Sequence, residues 1–155
     1  MTVSTNYLNR SVDLSVFQGI KADGVATVDQ SLFNNGGEVC TGIQKLIQQW
    51  LITFLTPEGS VKFHPEWGTS FLAEASNFRN EIEATTEFYV CNSDACDQLE
   101  EAETDDMPDD ERIDTVELDN ITITSDGFKL KVILTSAAGE SAPLILPITI
   151  NPLQL

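Results

Sequence analysis

Apolar residues recur with helical spacing in the first half of the chain. Val39, Ile43, Leu46, Ile47, Trp50, Leu51, Phe54 and Leu55 stand at i, i+4, i+7, i+8, i+11, i+12, i+15 and i+16. This spacing lays a wide apolar stripe along one side of a helix, predicted over residues 37–55. Gln44, Lys45, Gln48, Gln49 and Thr53 cover much of the remaining surface. Asn35 or the glycines after it stand in the cap position, and Glu38 falls in the first turn, where the helix dipole favours negative charge. Pro57 and Gly59, in a Thr-Pro-Glu-Gly turn, end the helix.

The segments on either side are less periodic. Residues 12–17 alternate (Val12, Leu14 and Val16 against Asp13 and Ser15) and predict a short strand, with a second over residues 26–32. The first ten residues read as an arm without a fixed fold until a partner holds it. After the helix, residues 60–63 read as a short extended piece. His64-Pro65-Glu66-Trp67-Gly68 reads as a compact turn in which Pro65 holds His64 extended, Gly68 takes a positive φ or lets backbone pass close, and Trp67 packs against the helix. A short helix over residues 69–75 follows, capped by Thr69 or Ser70. Two more helices are predicted over residues 80–90 and 94–103. The break comes from the poor helix formers Thr85, Thr86, Tyr89, Val90 and Cys91 and from Asn92-Ser93-Asp94, which reads as a fresh cap.

From Ile113 the period changes to two. Ile113, Thr115, Glu117, Asp119, Ile121 and Ile123 share one parity and Val116, Leu118, Asn120 and Thr122 the other, so a bulge near residues 118–120 is needed to keep one face apolar. Ser125-Asp126-Gly127 is a hairpin turn. In the return strand Phe128, Leu130, Val132 and Leu134 alternate with Lys129, Lys131 and Ile133. Residues 137–141 form a loop. The last strand carries Leu144, Leu146, Ile148 and Ile150 on one face, with Pro143 and Pro147 marking a sheet edge. Helices first and an antiparallel meander last make an α+β domain over residues 36–155, preceded by an arm with short strands over residues 1–35.

The chain has 155 residues, the size of one domain, and a net charge of −17. That charge opposes binding to a nucleic-acid backbone or an anionic membrane surface and favours basic partners. No apolar run is long enough to span a membrane, and the first residues lack the form of a signal peptide, so a cytoplasmic site of synthesis is expected. Cys40, Cys91 and Cys96 are an odd set of three, and His64 is the single histidine. They read as free thiols rather than as disulfides or a zinc site. Residues 97–119 hold nearly half of the 25 acidic residues and one base, Arg112. Asp105, Asp106, Asp109 and Asp110 lack the glycine and bidentate glutamate of a calcium loop, so a solvated acidic loop is expected. A lone guanidinium there is either paired with solvent or reserved for a bidentate partner. His64 and Glu66, two apart in a turn with no matched nucleophile, read as structural. Neither a cofactor nor a metal is expected.

The order of these features resembles the baseplate wedge and sheath-initiator family of contractile phage tails, which includes protein W of temperate phages and a baseplate subunit of type VI secretion systems. Residues 43–55 followed by Thr56-Pro57-Glu58-Gly59 are similar to the family's helix ending in Thr-x-x-Gly. Pro65, Glu66, Trp67 and Gly68 are similar to its Pro-Glu/Asp-Phe/Tyr-Gly turn. Asp110, Glu111, Arg112 and Ile113 stand where the family has Glu-Pro-Arg-Ile, with Glu111 in place of the proline. The resemblance covers residues 42–150.

It implies a non-enzymatic structural subunit of a virion tail baseplate, assembled in the host cytoplasm. Six copies per baseplate would join the wedge proteins, and the tail tube or hub is a further implied neighbour. It implies that Asp110, Glu111, Arg112 and Ile113 meet the wedge. The tail sheath subunit would dock by strand addition on the edge strand carrying Leu144, Leu146, Ile148 and Ile150. Two other readings stand beside it. One is a small acidic, lysozyme-like hydrolase drawing paired carboxylates from Glu58, Glu66 and Glu74. The other is an acidic adaptor for a basic partner.

Overall fold

The structure, a computed structural model, describes residues 10–14, 26–27 and 39–149. The element order is β1 (Asp13–Leu14), β2 (Ala26–Thr27), β3 (Val39–Cys40), α1 (Ile43–Leu55), α2 (Phe71–Glu74), α3 (Glu81–Glu101), β4 (Ile113–Thr124), β5 (Gly127–Ser136) and β6 (Ser141–Thr149). Short 3-10 turns at Ala75–Asn77 and Asp109–Glu111 follow α2 and precede β4. The class is α+β: an antiparallel β4–β5–β6 meander with α1 and α3 on one face. β1 and β3 make a separate antiparallel pair.

The meander follows from its side-chain alternation. Phe128, Leu130, Val132 and Leu134 of β5 are buried, as are Ala142, Leu144 and Leu146 of β6. Thr124 stands opposite Gly127 across the Ser125–Asp126 turn, as Asp-Gly predicts. In β4 the buried positions are Ile113, Val116 and Ile121, a spacing no regular strand allows. Two register shifts account for it, one between Leu118 and Asn120, where a bulge was expected, and one between Ile113 and Thr115. Each shift moves the strand by one residue and so exchanges its faces.

The last strand runs Ser141–Thr149 rather than over 144–150, and Ile150 lies outside the described residues. It is also not the end of the sheet. The order is β2-β6-β5-β4, with β2 parallel to β6 through Ala26↔Leu144 and Thr27↔Ile145. The part of the predicted arm that is described thus forms β1 and β2, each paired with a strand of the domain.

The core is aromatic where the helices meet the sheet. Trp50 and Phe54, one turn apart on α1, stack with ring centroids 4.8 Å apart. Phe54 lies 4.6 Å from Phe71 and 5.5 Å from Phe88, and Phe71 meets Phe128 of the sheet edge-on at 5.8 Å. Trp50 Nε1 donates to Asn92 Oδ1 at 2.9 Å, and Asn92 Nδ2 donates to the Val116 carbonyl at 3.3 Å. One buried amide therefore ties α1, α3 and β4 together.

That amide corrects the prediction of two helices. α3 is one helix of 21 residues, and Asn92 lies inside it. Asn and Ser break helices when their side chains hydrogen-bond nearby backbone. Asn92 instead has tertiary partners on α1 and β4. Asn80 caps α3 by accepting from the Glu83 N–H at 3.0 Å.

α1 begins at Ile43, six residues later than predicted, because Val39 and Cys40 pair with Leu14 and Asp13. Asn35 lies outside the described residues, and the first turn of α1 holds no acid. Its polar face is only partly solvated: Lys45, Gln48 and Thr53 are buried, and Gln44 and Gln49 keep partial exposure. Residues 60–63 form turns rather than an extended piece.

Candidate functional site

The residues singled out at 110–113 form a corner where the acidic loop enters β4. The 3-10 turn Asp109–Glu111 carries Glu111 inward. Its Oε1 accepts the Gly42 N–H at 3.1 Å and its Oε2 lies 2.6 Å from Lys45 Nζ. Gly42 is the residue before α1 and has no side chain to cap it. Glu111 supplies that cap from 69 residues away and places a carboxylate where the helix dipole favours one. Both side chains of the Lys45–Glu111 pair are more than nine-tenths buried. Lys45 Nζ also donates to Ser11 Oγ, and Arg10 pairs with Asp110. Gln48 Nε2 donates to Asp13 Oδ2 at 3.0 Å and to the Leu14 carbonyl at 2.9 Å. Residues 10–14 are thus held by a polar network on α1 and the corner.

Arg112, expected to be solvated or held for a partner, closes its own loop. Its Nη2 donates to the carbonyls of Thr104 and Asp105 at 2.9 and 3.2 Å, and its Nη1 lies 3.7 Å from Asp109 Oδ1. Glu103 Oε1 accepts the Ile113 N–H at 3.1 Å. The Ala137 and Ala138 N–H groups donate to the carbonyls of Arg112 and Asp109 at 3.0 and 3.1 Å. Ile113 is in the core. Of the four corner residues, Asp110 and Arg112 keep partial exposure and Glu111 and Ile113 are buried. The segment expected to be a solvated acidic loop therefore contains one of the most buried carboxylates of the domain.

The turn at 65–68 folds back on the end of α1. Thr69 N–H donates to the Thr56 carbonyl at 2.8 Å and Gly59 N–H to the Pro65 carbonyl at 2.9 Å. Gly68 has φ 104, and a Cβ there would sit 2.3 Å from the Thr56 carbonyl oxygen. Only glycine fits this close passage. Gln98 of α3 holds it from both sides, accepting the Gly68 N–H at 2.9 Å and donating to its carbonyl at 3.0 Å. Pro65 and Glu66 are exposed and Trp67 is half-buried. His64 Nδ1 lies 3.5 Å from Glu66 Oε1 in full view of solvent. Glu58, Glu66 and Glu74 are all exposed.

Leu144 and Leu146 are buried and Ile148 is half-buried, so the strand expected to dock a partner commits its apolar face to the core. Its outer side meets β2 at Leu144 and Ile145. β4 carries the other edge, and among the described residues nothing pairs with its outer side.

The cysteines are placed for packing. Burial, then the Asp13 carboxylate, pushes the Cys40 thiol up to about 11. Burial, then Glu100 and Asp97, pushes Cys96 up to about 12, and burial raises Cys91. A thiol held protonated is a poor nucleophile. Among the described residues no group of three or more His, Cys, Asp or Glu is arranged to hold a metal ion, and no helix is long and apolar enough to cross a membrane.

Sequence patterning did not point to a pocket of about 180 Å³ between α1 and the C-terminal end of α3. Leu46, Thr53, Trp67, Leu99 and Met107 line it, and its signal lay in α1 itself. A 13-residue helix with Lys45 as its one charged residue reads as enclosed on nearly every side.

Comparison with family models, with curated proteins and with solved structures finds no match to this chain.

Proposed function

We propose that the chain is a non-enzymatic structural subunit of a contractile-tail baseplate, one that joins the wedge and templates the first sheath ring by strand addition. The observation that carries this reading is the sheet: three long antiparallel strands with the outer side of the 12-residue β4 unpaired among the described residues. Unpaired N–H and C=O groups on such an edge accept an extended arm from another chain.

β4 is the better docking edge. Thr124 and Gly127 flank a two-residue turn and form a hydrogen-bonded pair, and the pattern alternates from there. On that alternation the Ile123 N–H points away from β5. The same count aims the nitrogens of Pro143 and Pro147 away from β5, so the outer side of β6 lacks two donors. β4 also presents Asp114 and Glu117 to solvent, which favours a basic arm, while Asp119 beside them is paired with Lys131 at 2.6 Å. A second surface suits a wedge contact: Ile82, Tyr89 and Val90 are exposed together on α3, at i, i+7 and i+8. At the acidic corner Asp110 and Arg112 are partly exposed, but Asp110 is paired with Arg10 and Arg112 with its own loop, so a wedge partner there would have to replace those contacts.

The test is co-assembly of the purified chain with a sheath subunit encoded by the same genome, followed by size exclusion and negative-stain microscopy. Sheath that starts at this protein is expected. Ile123→Pro, which removes an outward-facing donor, should abolish nucleation while leaving the thermal transition within a few degrees of wild type. Absence of binding together with peptidoglycan-degrading activity would replace this reading with the hydrolase using Glu58, Glu66 or Glu74. Absence of both would leave the acidic adaptor.

A further inference from the structure

The outer face of α3 is divided along its length. In its first half Ile82, Tyr89 and Val90 are 78%, 51% and 53% exposed. Spaced at i, i+7 and i+8, they lie on one side of the helix. Thr86 stands between them, and its hydroxyl donates back to the Ile82 carbonyl at 2.9 Å, so its polar atom is engaged within the helix. Beyond Ser93 the same side becomes acidic. Asp94, Asp97, Glu100 and Glu101 are exposed, and among the described residues no cation pairs with any of them.

The acids are not placed to stabilise α3 itself. The helix carries seven acidic residues and neither Lys nor Arg. Glu81 and Glu83 suit its start, where the dipole favours negative charge. Glu100 and Glu101 stand in its last turn, where the dipole favours cations, and no basic residue stands there. Cations brought from outside would offset both this mismatch and the repulsion among the four carboxylates.

The division narrows the choice of occupant. An anionic lipid surface or a nucleic-acid backbone that reached the apolar half would face the carboxylates beside it. A second copy packed in parallel would lay acid on acid. Packed antiparallel with full overlap, it would lay acid on the apolar half, between chains that each carry a net charge of −17. A 21-residue helix is about 30 Å long, and an apolar stripe at this spacing is what a second helix packs against.

We propose that the outer face of α3 docks an amphipathic helix of a partner protein, apolar along one half of its contact stripe and rich in Lys and Arg along the other. The apolar half covers Ile82, Tyr89 and Val90, and the cations lie over Asp97 and Glu100. About 18 residues, at 1.5 Å each, span both halves. This deepens the wedge contact proposed for the same patch, and only the origin of the partner in the wedge rests on that reading.

The experiment titrates the full chain with a labelled helix-forming peptide of that length, made in both chain directions and read by fluorescence anisotropy at low and physiological salt. A peptide of the same composition and charge, with apolar and basic residues mixed along the stripe, is run alongside. The divided peptide is expected to bind at least tenfold tighter than the mixed one in one direction. Ile82→Gln/Val90→Gln, neutral and at exposed positions, should abolish that preference while the circular dichroism spectrum stays native. Asp97→Asn/Glu100→Gln should lower the affinity severalfold and flatten its salt dependence. Equal binding of divided and mixed peptides would overturn the proposal, as would a preference that survives Ile82→Gln/Val90→Gln. A dimer in sedimentation that dissociates on Ile82→Gln/Val90→Gln would also overturn it and assign the face to a second copy. Selective peptide binding without sheath nucleation would uphold the docking face and remove the contractile-tail reading, whereas nucleation without selective peptide binding would do the reverse.

Discussion

Glu111 Oε2 lies 2.6 Å from Lys45 Nζ, and the two buried side chains join the mouth of the sheet to the first turn of α1. Glu111 caps the helix through Gly42 while Lys45 also reaches Ser11, so one ion pair organises the corner, the helix start and residues 10–14.

Removing one member of that pair leaves the other charge buried without compensation. Glu111→Ala is expected to cost about 3–5 kcal/mol, read as a lowered urea midpoint. The double variant Lys45→Met/Glu111→Leu should recover most of that loss, because a buried ion pair is often no more stable than apolar residues of similar volume. A double variant less stable than Glu111→Ala would show that the pair is a net stabiliser.

Arg112→Ala should leave the domain folded, at a cost of about 1–2 kcal/mol for its charged hydrogen bonds at a partly exposed site. The loss should be local. Hydrogen exchange should speed up around Asp105 and Met107 while β5 stays protected. Arg112→Lys should restore protection only in part, because one ammonium nitrogen can meet the two carbonyls that Nη2 holds but cannot also face Asp109 as Nη1 does. Global unfolding of the alanine variant would contradict this and make Arg112 a core residue. A folded variant that fails to join wedge proteins is the outcome expected from the proposed function.

Gly68 and Gly59 form a matched pair of tests. Both have positive φ, but a Cβ at Gly68 meets the Thr56 carbonyl at 2.3 Å whereas one at Gly59 meets nothing within 4 Å. Gly59→Ala should cost about 1 kcal/mol for the backbone alone. Gly68→Ala should cost at least twice as much and open the α1 exit. Equal falls in Tm would show that the close passage relaxes freely.

The thiols should be quiet in the native protein. With the pKa of Cys40 raised from 9.0 to about 11 and that of Cys96 to about 12, little thiolate forms at pH 8. Modification by a disulfide reagent should then follow unfolding, and raising the pH from 8 toward 11 should speed it in the folded state. The sign for stability follows: a raised folded pKa means these thiols favour the folded state below pH 9 and lose that contribution as pH climbs toward 11 and 12. Fast labelling of Cys40 at pH 8 in native buffer would contradict the burial.

Local signals were readable where they were self-contained. The Asp-Gly hairpin, the alternation of β5, the close passage at Gly68 and the bulge near Asn120 each depend on a few adjacent residues. The second bulge near Asp114 was missed because Ile113 alone marks the parity before it. The continuity of α3 was missed because Asn92 is a helix breaker until Trp50 and Val116 occupy its amide. Of the corner, Arg112 stood out as one base among acids, but nothing local distinguished the buried Glu111 from its exposed neighbours Asp105, Asp106 and Asp109.

The sequence by itself determined the class, the turns and the apolar faces, because periodicity and glycine or proline chemistry act over a few residues. Tertiary structure alone decided the burial of Lys45, Gln48 and Thr53, the capping of α1 by Glu111, the order of the sheet edges and the pocket beside Trp67. Each of these depends on groups brought together from distant parts of the chain. Whether a polar side chain is buried or solvated follows from the partner that meets it, and that partner exists only once the chain has folded.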